Sequence, residues 1–175
     1  NPFVTAEVME RPLQMQGERV LRFYLSELEK LEDELSLSLR IVAVSDELAA
    51  LAEAAADTSQ HTAIEPYRRA LSGIRERVTA TLGAVTEPLQ RDAVRAQTGA
   101  GTGTEAYASP DALLADLEII HRSLVQNGSH LLTEGRLRRL RRAVDCFGFH
   151  LAGLDMRQNS EVHARTVAEL LKAVG

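Results

Sequence analysis

Chemistry in this 175-residue sequence is concentrated near its C-terminal end, where Asp155, Arg157 and Ser160 stand close together. The run Phe149-His150-Leu151-Ala152-Gly153-Leu154-Asp155-Met156-Arg157 is short, follows a glycine stop, and reads as a buried strand. Side chains alternate along a strand, so Leu151, Gly153, Asp155 and Arg157 share one face, with Arg157 at the carboxyl end. Ser160 then caps a helix. A helix start presents unpaired N–H groups and partial positive charge, and an arginine beside it is suited to holding a phosphate. In α/β barrels, ligands gather at the carboxyl ends of the strands. Asp155 can orient or neutralise the guanidinium. On spacing alone, a structural Asp155–Arg157 pair at a helix start is the commoner outcome, because a single arginine before a cap is frequent.

The elements that must position this segment are helical. Leu21, Tyr24, Leu25, Leu28, Leu31 and Leu35 recur at three- and four-residue steps, with Glu27, Glu29, Lys30, Glu32 and Asp33 between them. This predicts an amphipathic helix capped at Thr5 and reaching about Leu37. Pro12 should kink it, or divide it into a short helix and a long one. Ser45-Asp46-Glu47 reads as the cap and acidic first turn of a second helix, to about Ala56. Pro66 opens a third, whose apolar face is Tyr67, Ala70, Leu71, Ile74, Val78 and Leu82. Residues 97–107, with Gly99, Gly101 and Gly103, predict a mobile loop. Ser109-Pro110 starts a fourth helix along Leu113, Leu117, Ile120 and Leu124, stopped by Asn127-Gly128. A fifth runs from near Gly135 to Cys146 and stops at Gly148. The fold class is therefore mostly α-helical with one or two short strands. A single strand forms no sheet alone, so the chain lacks the rest of its fold or pairs that strand with an unrecognised one.

Composition narrows the function. A net charge of −5 attracts no polyanion, and aromatics at 4% with no Trp supply no stacking platform for single-stranded nucleic acid. One cysteine excludes an internal disulfide and a four-cysteine zinc site. No apolar run approaches the roughly 20 residues of a membrane span, and no signal peptide is visible, which fits a cytoplasmic setting. The first residue is Asn1 rather than Met, as expected of an excised piece. Arg136, Arg138, Arg139, Arg141 and Arg142 make a dense basic helix. Given the negative net charge, they read as arginines covering apolar surface and pairing with acidic neighbours, rather than as an anion patch. His61, His121, His130, His150 and His163 show no paired metal spacing, and Cys146 reads as a small buried apolar residue. The leucine stripe is short for a coiled coil and reads as internal packing.

Several segments together resemble one family. Phe147-Gly148 followed by Leu154-Asp155-Met156-Arg157-Gln158-Asn159-Ser160 resembles the phosphoenolpyruvate carboxylase signature, hydrophobic-Asp-hydrophobic-Arg-Gln-Glu-Ser after a Phe-Gly turn. Asn1-Pro2-Phe3-Val4-Thr5 is similar to the end of that family's Gly-Gly-Asp-Arg-Asp-Gly-Asn-Pro-x-Val-Thr segment. Glu65-Pro66-Tyr67-Arg68, with Ile74-Arg75-Glu76-Arg77-Val78 and Ala80-Thr81, resembles its Pro-Tyr-Arg helix. Gly135 to Arg142 is similar in layout to the stretch before the Phe-Gly turn. The matches keep the family's order and reach both ends of the chain, whereas residues from about 90 to 109 carry little resemblance.

The resemblance implies a fragment from the first half of an elaborated (β/α)8 barrel enzyme, residues 1–175 forming a single helical piece of it. Such enzymes use Mg²⁺ or Mn²⁺ to carboxylate phosphoenolpyruvate with bicarbonate, giving oxaloacetate and phosphate. Bicarbonate attacks the phosphoryl group, forming carboxyphosphate and an enolate, and the enolate then attacks released carbon dioxide. Metal and cationic side chains stabilise the moving charge. The signature arginine, a phosphate ligand for phosphoenolpyruvate, corresponds to Arg157, with Asp155 and Gln158 supporting it. Asn159 departs from the family's usual Glu, which puts a carboxylate role there in doubt. No Thr-Ala-His-Pro-Thr motif with the family's catalytic histidine occurs, and Lys30 and Lys172 are the only lysines, both in helical contexts. These residues alone should therefore be inactive and bind no metal. The intact enzyme is expected to be a homotetramer, with the remainder of its own chain as this piece's partner, and with no nucleic acid or membrane partner. The competing reading is a freestanding helical interaction module, using the leucine stripe or the arginine-rich helix as its contact surface.

Overall fold

The leucine stripe of the first helix becomes the spine of the structure. A computed structural model describes residues 6–38, 42–55, 64–90, 104–152 and 160–174. Among them are six helices, α1 (Ala6–Glu34), α2 (Asp46–Glu53), α3 (Pro66–Gln90), α4 (Pro110–Gln126), α5 (Arg136–Phe147) and α6 (Ser160–Val174), and a 3₁₀ turn, His130–Thr133. Leu21, Tyr24, Leu28 and Leu31 of α1, with Leu35 in the turn that follows it, are buried, facing Tyr67, Leu71, Ile74 and Val78 of α3 within one core. Leu113, Leu117, Ile120 and Leu124 of α4 and Leu137, Leu140 and Val144 of α5 complete it. α1 packs mainly along α3, α2 lies against α3, and α4 pairs with α5, which also touches α1. Burying one stripe of each helix against its neighbours removes apolar area from water, which is what holds a chain without disulfides or metal together.

Local signals set the helix ends. The Ser45 hydroxyl accepts the Leu48 N–H at 3.3 Å and begins α2; the Ser109 hydroxyl accepts the Ala112 N–H at 3.3 Å and begins α4. Pro66 and Pro110 occupy first helical positions, where a missing N–H is harmless. Asn127 and Gly128, the latter at φ +80°, end α4. α2 ends at Glu53, short of Ala56. α1 runs unbroken through Pro12, so the predicted division into two helices does not occur. Pro12 is exposed near the helix start, where one lost rung is outweighed by the long buried stripe that follows. The predicted cap Thr5 lies outside the described residues.

Two expectations are corrected. No strand occurs among the described residues: 149–152 form a turn and a bend, and 153–159 lie outside them. The His150 N–H turns back to the Phe147 carbonyl at 2.9 Å, and no described strand is there to pair with. Cys146 is exposed rather than buried. Leu137, Leu140 and Val144 define the inward face of α5, and Cys146, two residues past Val144, falls on the opposite side. Of the predicted loop, residues 97–103 lie outside the described residues, whereas Tyr107 is buried. Its N–H donates to Thr81 Oγ1 at 2.9 Å and its hydroxyl donates to Asp116 Oδ2 at 2.6 Å. Arg77 stacks 3.8 Å from the Tyr107 ring centre and donates to the same Asp116 oxygen at 2.8 Å. Burial first, and Asp116 second, push the Tyr107 phenol up, so it remains a donor.

Candidate functional site

The segment carrying the predicted phosphate ligand follows the end of α5 in the chain. Gly148 caps that helix at φ +54°, ψ −126°, a left-handed conformation that favours glycine. Its N–H donates to the Val144 carbonyl at 2.8 Å. The Tyr24 hydroxyl lies 3.0 Å from the Ala143 carbonyl oxygen and 2.7 Å from that of Gly148, its one proton shared between them. Burial, reinforced by Cys146, pushes the Tyr24 phenol far above its ordinary value, so that proton stays in place across the physiological range. A Cβ on Gly148 would stand 3.1 Å from Pro110 Cγ, and one on Gly17 would stand 3.1 Å from the Phe149 carbonyl oxygen. The turn is thus held from α1 and from the start of α4.

Asp155, Arg157 and Gln158 lie in 153–159, outside the described residues, as does Asn159. Both flanks are described: the Phe147-Gly148 turn on one side and α6, starting at Ser160, on the other. The arginines of α5 are mostly committed. Arg136 donates to Glu34 at 2.7 Å and to Glu27 at 2.8 Å, Arg138 pairs with Glu134, and Arg141 pairs with Glu118. A cleft of about 620 Å³ between α4 and α5 is lined by Arg138, Arg141 and Arg142 but also by Asp111, Glu118 and Asp145. Three charges of each sign cancel, so the cleft offers an anion little net attraction. Among the described residues, no group of three His, Cys, Asp or Glu could hold a metal ion, so they do not fit the expected Mg²⁺ or Mn²⁺. No described helix is long and apolar enough to cross a membrane.

Comparison with known proteins decides the family. The sequence profile of phosphoenolpyruvate carboxylase matches residues 1–175. The chain belongs to the phosphoenolpyruvate carboxylase family. Phosphoenolpyruvate carboxylase from Rhodopseudomonas palustris strain HaA2 is 57% identical over 173 residues, that from Bradyrhizobium diazoefficiens 53%, and that from Aromatoleum aromaticum 56%. These matches cover 98–99% of the chain but 18% of each relative, so the chain spans under a fifth of its relatives' length.

Sequence patterns did not single out the grip on the Phe-Gly turn of this phosphoenolpyruvate carboxylase segment. Tyr24 registered only as one apolar position among leucines, and its acceptors lie 119 and 124 residues away. The sole signal was a tyrosine in an otherwise aliphatic stripe, since a buried phenol needs a partner.

Proposed function

We propose that this chain is part of a phosphoenolpyruvate carboxylase in which Arg157 holds the phosphate of phosphoenolpyruvate. The observation that carries this reading is the family match over residues 1–175, with Asp155-Met156-Arg157-Gln158 set between the held Phe-Gly turn and the start of α6. A guanidinium gives a phosphate two parallel charge-assisted hydrogen bonds. Asp155 and Gln158 would orient it. The full enzyme would join phosphoenolpyruvate and bicarbonate into oxaloacetate and phosphate, as a cytoplasmic lyase and homotetramer. The divalent ion would take its ligands from elsewhere in that enzyme. Its proposed setting is an elaborated (β/α)8 barrel, a reading supported by the apolar face of α6 at Val167, Leu170 and Leu171, which is exposed among the described residues. The interaction-module alternative loses support, because the leucine stripe is buried and Arg136, Arg138 and Arg141 are paired.

The test is Arg157→Ala in the full-length enzyme. Removing a charge-assisted phosphate contact costs roughly 1.5–3 kcal/mol, so kcat/KM for phosphoenolpyruvate should fall about tenfold to a hundredfold, with a raised KM. Arg157→Lys should restore little, because a fork becomes a point charge. Unchanged kinetics would reduce Arg157 to scaffold.

A further inference from the structure

The charges of α5 run against its dipole. A helix start carries partial positive charge and favours acids; a helix end carries partial negative charge and favours bases. α5 opens on Arg136, Arg138 and Arg139 with no acid in its first turn, and closes on Asp145 with no base in its last. At the start the mismatch is answered within the chain: Arg136 pairs with Glu27 and Glu34, and Arg138 with Glu134. Further along it is not. Arg142 and Asp145 are exposed, and neither makes an ion pair among the described residues. The same holds for Asp111, in the first turn of α4. All three line the cleft of about 620 Å³ between α4 and α5, together with the apolar Leu114 and Ala115. The two helices are antiparallel: Pro110, which begins α4, lies against Gly148, just past the end of α5, while Glu118, later in α4, pairs with Arg141, earlier in α5. Asp111 and Asp145 therefore share one end of the cleft.

A second α5 laid antiparallel answers this arrangement. Arg142 and Asp145 are one turn apart, roughly 4.5 Å along the helix axis. A two-fold axis passing between them exchanges the two, so that Arg142 of each copy faces the partner's Asp145. Asp111, at the same end of the cleft as Asp145, gives that guanidinium a second acceptor, and its fork of donors serves both. The two helix dipoles then oppose, with the basic stretch of each copy against the acidic end of the other. A patch that complements itself is what a two-fold contact requires. We propose that this face of α4 and α5 is a contact between two copies of the enzyme, closed by reciprocal pairing of Arg142 with the partner's Asp145 and the partner's Asp111. The inference deepens the homotetramer reading given above and rests on it. Charge selects this occupant over a small ion: an anion at Arg142 also meets Asp111 and Asp145, and a cation at the carboxylates also meets Arg142.

The experiment uses the full-length enzyme and reads subunit assembly by sedimentation velocity over a dilution series. Three variants are compared with wild type: Arg142→Glu, Asp145→Arg, and the Arg142→Glu/Asp145→Arg double. Each single reversal sets like charges against each other twice, once on either side of the two-fold axis. It should raise the subunit dissociation constant about tenfold or more, because like charges face each other across the contact. The double variant exchanges the signs and should return to within about threefold of wild type. An equimolar mixture of the two single variants should also reassemble, since each supplies the sign that the other lacks. The mixture matters because Arg142 and Asp145 lie on one helix, where repair of the double within a single chain would look the same. Both positions are exposed, so neither reversal opens a cavity. Single variants that assemble like wild type, or a mixture that stays dissociated, would overturn the proposal. Reversals that lower the unfolding temperature and leave assembly unchanged would assign the cleft to the enzyme's own remaining chain, and overturn it too. A wild-type enzyme that sediments as a monomer would sink the homotetramer reading along with it; an assembled wild type indifferent to the reversals would sink this contact alone.

Discussion

α5 and α6 are built to one recipe and end in opposite circumstances. Each carries apolar residues at helical spacing on one side and charge on the other. Leu137, Leu140 and Val144 of α5 are at most 1% exposed, whereas Val167, Leu170 and Leu171 of α6 are 54%, 62% and 70% exposed. α5 rests on α1, α4 and the 3₁₀ turn; α6 packs on no other helix among the described residues. Among the described residues, nothing covers its apolar stripe as a leucine-rich helix face is normally covered. Periodicity therefore states which side of a helix is apolar, and is silent on whether the chain at hand supplies what covers it.

That contrast is best broken by trimming the two stripes in the 175-residue chain. Leu140→Ala should lower unfolding stability by about 2–5 kcal/mol, since it opens a hole in packed surroundings. Leu170→Ala should stay within about 0.5 kcal/mol of the parent chain, because no cavity forms. Urea unfolding midpoints compare them directly, and a large loss at Leu170 would mean that α6 is covered in solution. A smaller effect is expected where charge, rather than oil, joins α5 to α1. Arg136→Ala strips Glu27 of a partner while leaving that carboxylate buried, at a cost of about 1–3 kcal/mol in the same assay. Burial alone would raise Glu27, but hydrogen bonds from Lys30 and Arg136, with their charges, hold it below the usual carboxylate range. Its contribution is accordingly complete above the unfolded carboxylate value of about 4.3 and is lost as pH falls through the lower folded value. An unfolding series across mild acid should show that loss in the parent chain and a shallower one in Arg136→Ala. The smallest effect belongs to Arg138, whose pair with Glu134 is exposed on both sides; Arg138→Ala should change stability by less than about 0.5 kcal/mol. A larger shift would give that pair a part in joining α5 to its surroundings.

Much of the helical body was legible in the residues. Ser45, Pro66 and Ser109-Pro110 mark starts because a hydroxyl cap or a missing N–H acts within one turn, and Asn127-Gly128 and Gly148 mark stops for equally local reasons. The stripes of α1, α3, α4 and α5 were readable because burial follows period. What escaped depends on distant partners. Nothing near Tyr24 in the chain announces the carbonyls at 143 and 148, and nothing near Tyr107 announces Asp116 or Thr81. Cys146 was misplaced because residue type was weighed above its angle around the helix. The strand expected over 149–157 fails at 149–152, where the backbone folds back on the helix end. Arg157 was reached from its neighbours in sequence and lies outside the described residues.

The contact between α3 and the turn that follows α2 leaves natural variation no intermediate step. A Cβ placed on Gly73 would stand 2.9 Å from the Cβ of Ala55, which is itself attached directly to the backbone and has nowhere to swing. Alanine is the least that any replacement can add, so there is no graded series of tolerated side chains at position 73. Any change there forces the backbone at Ala55, just past the end of α2, to shift, and a lineage that loses this glycine would need a second change across the contact to accommodate it.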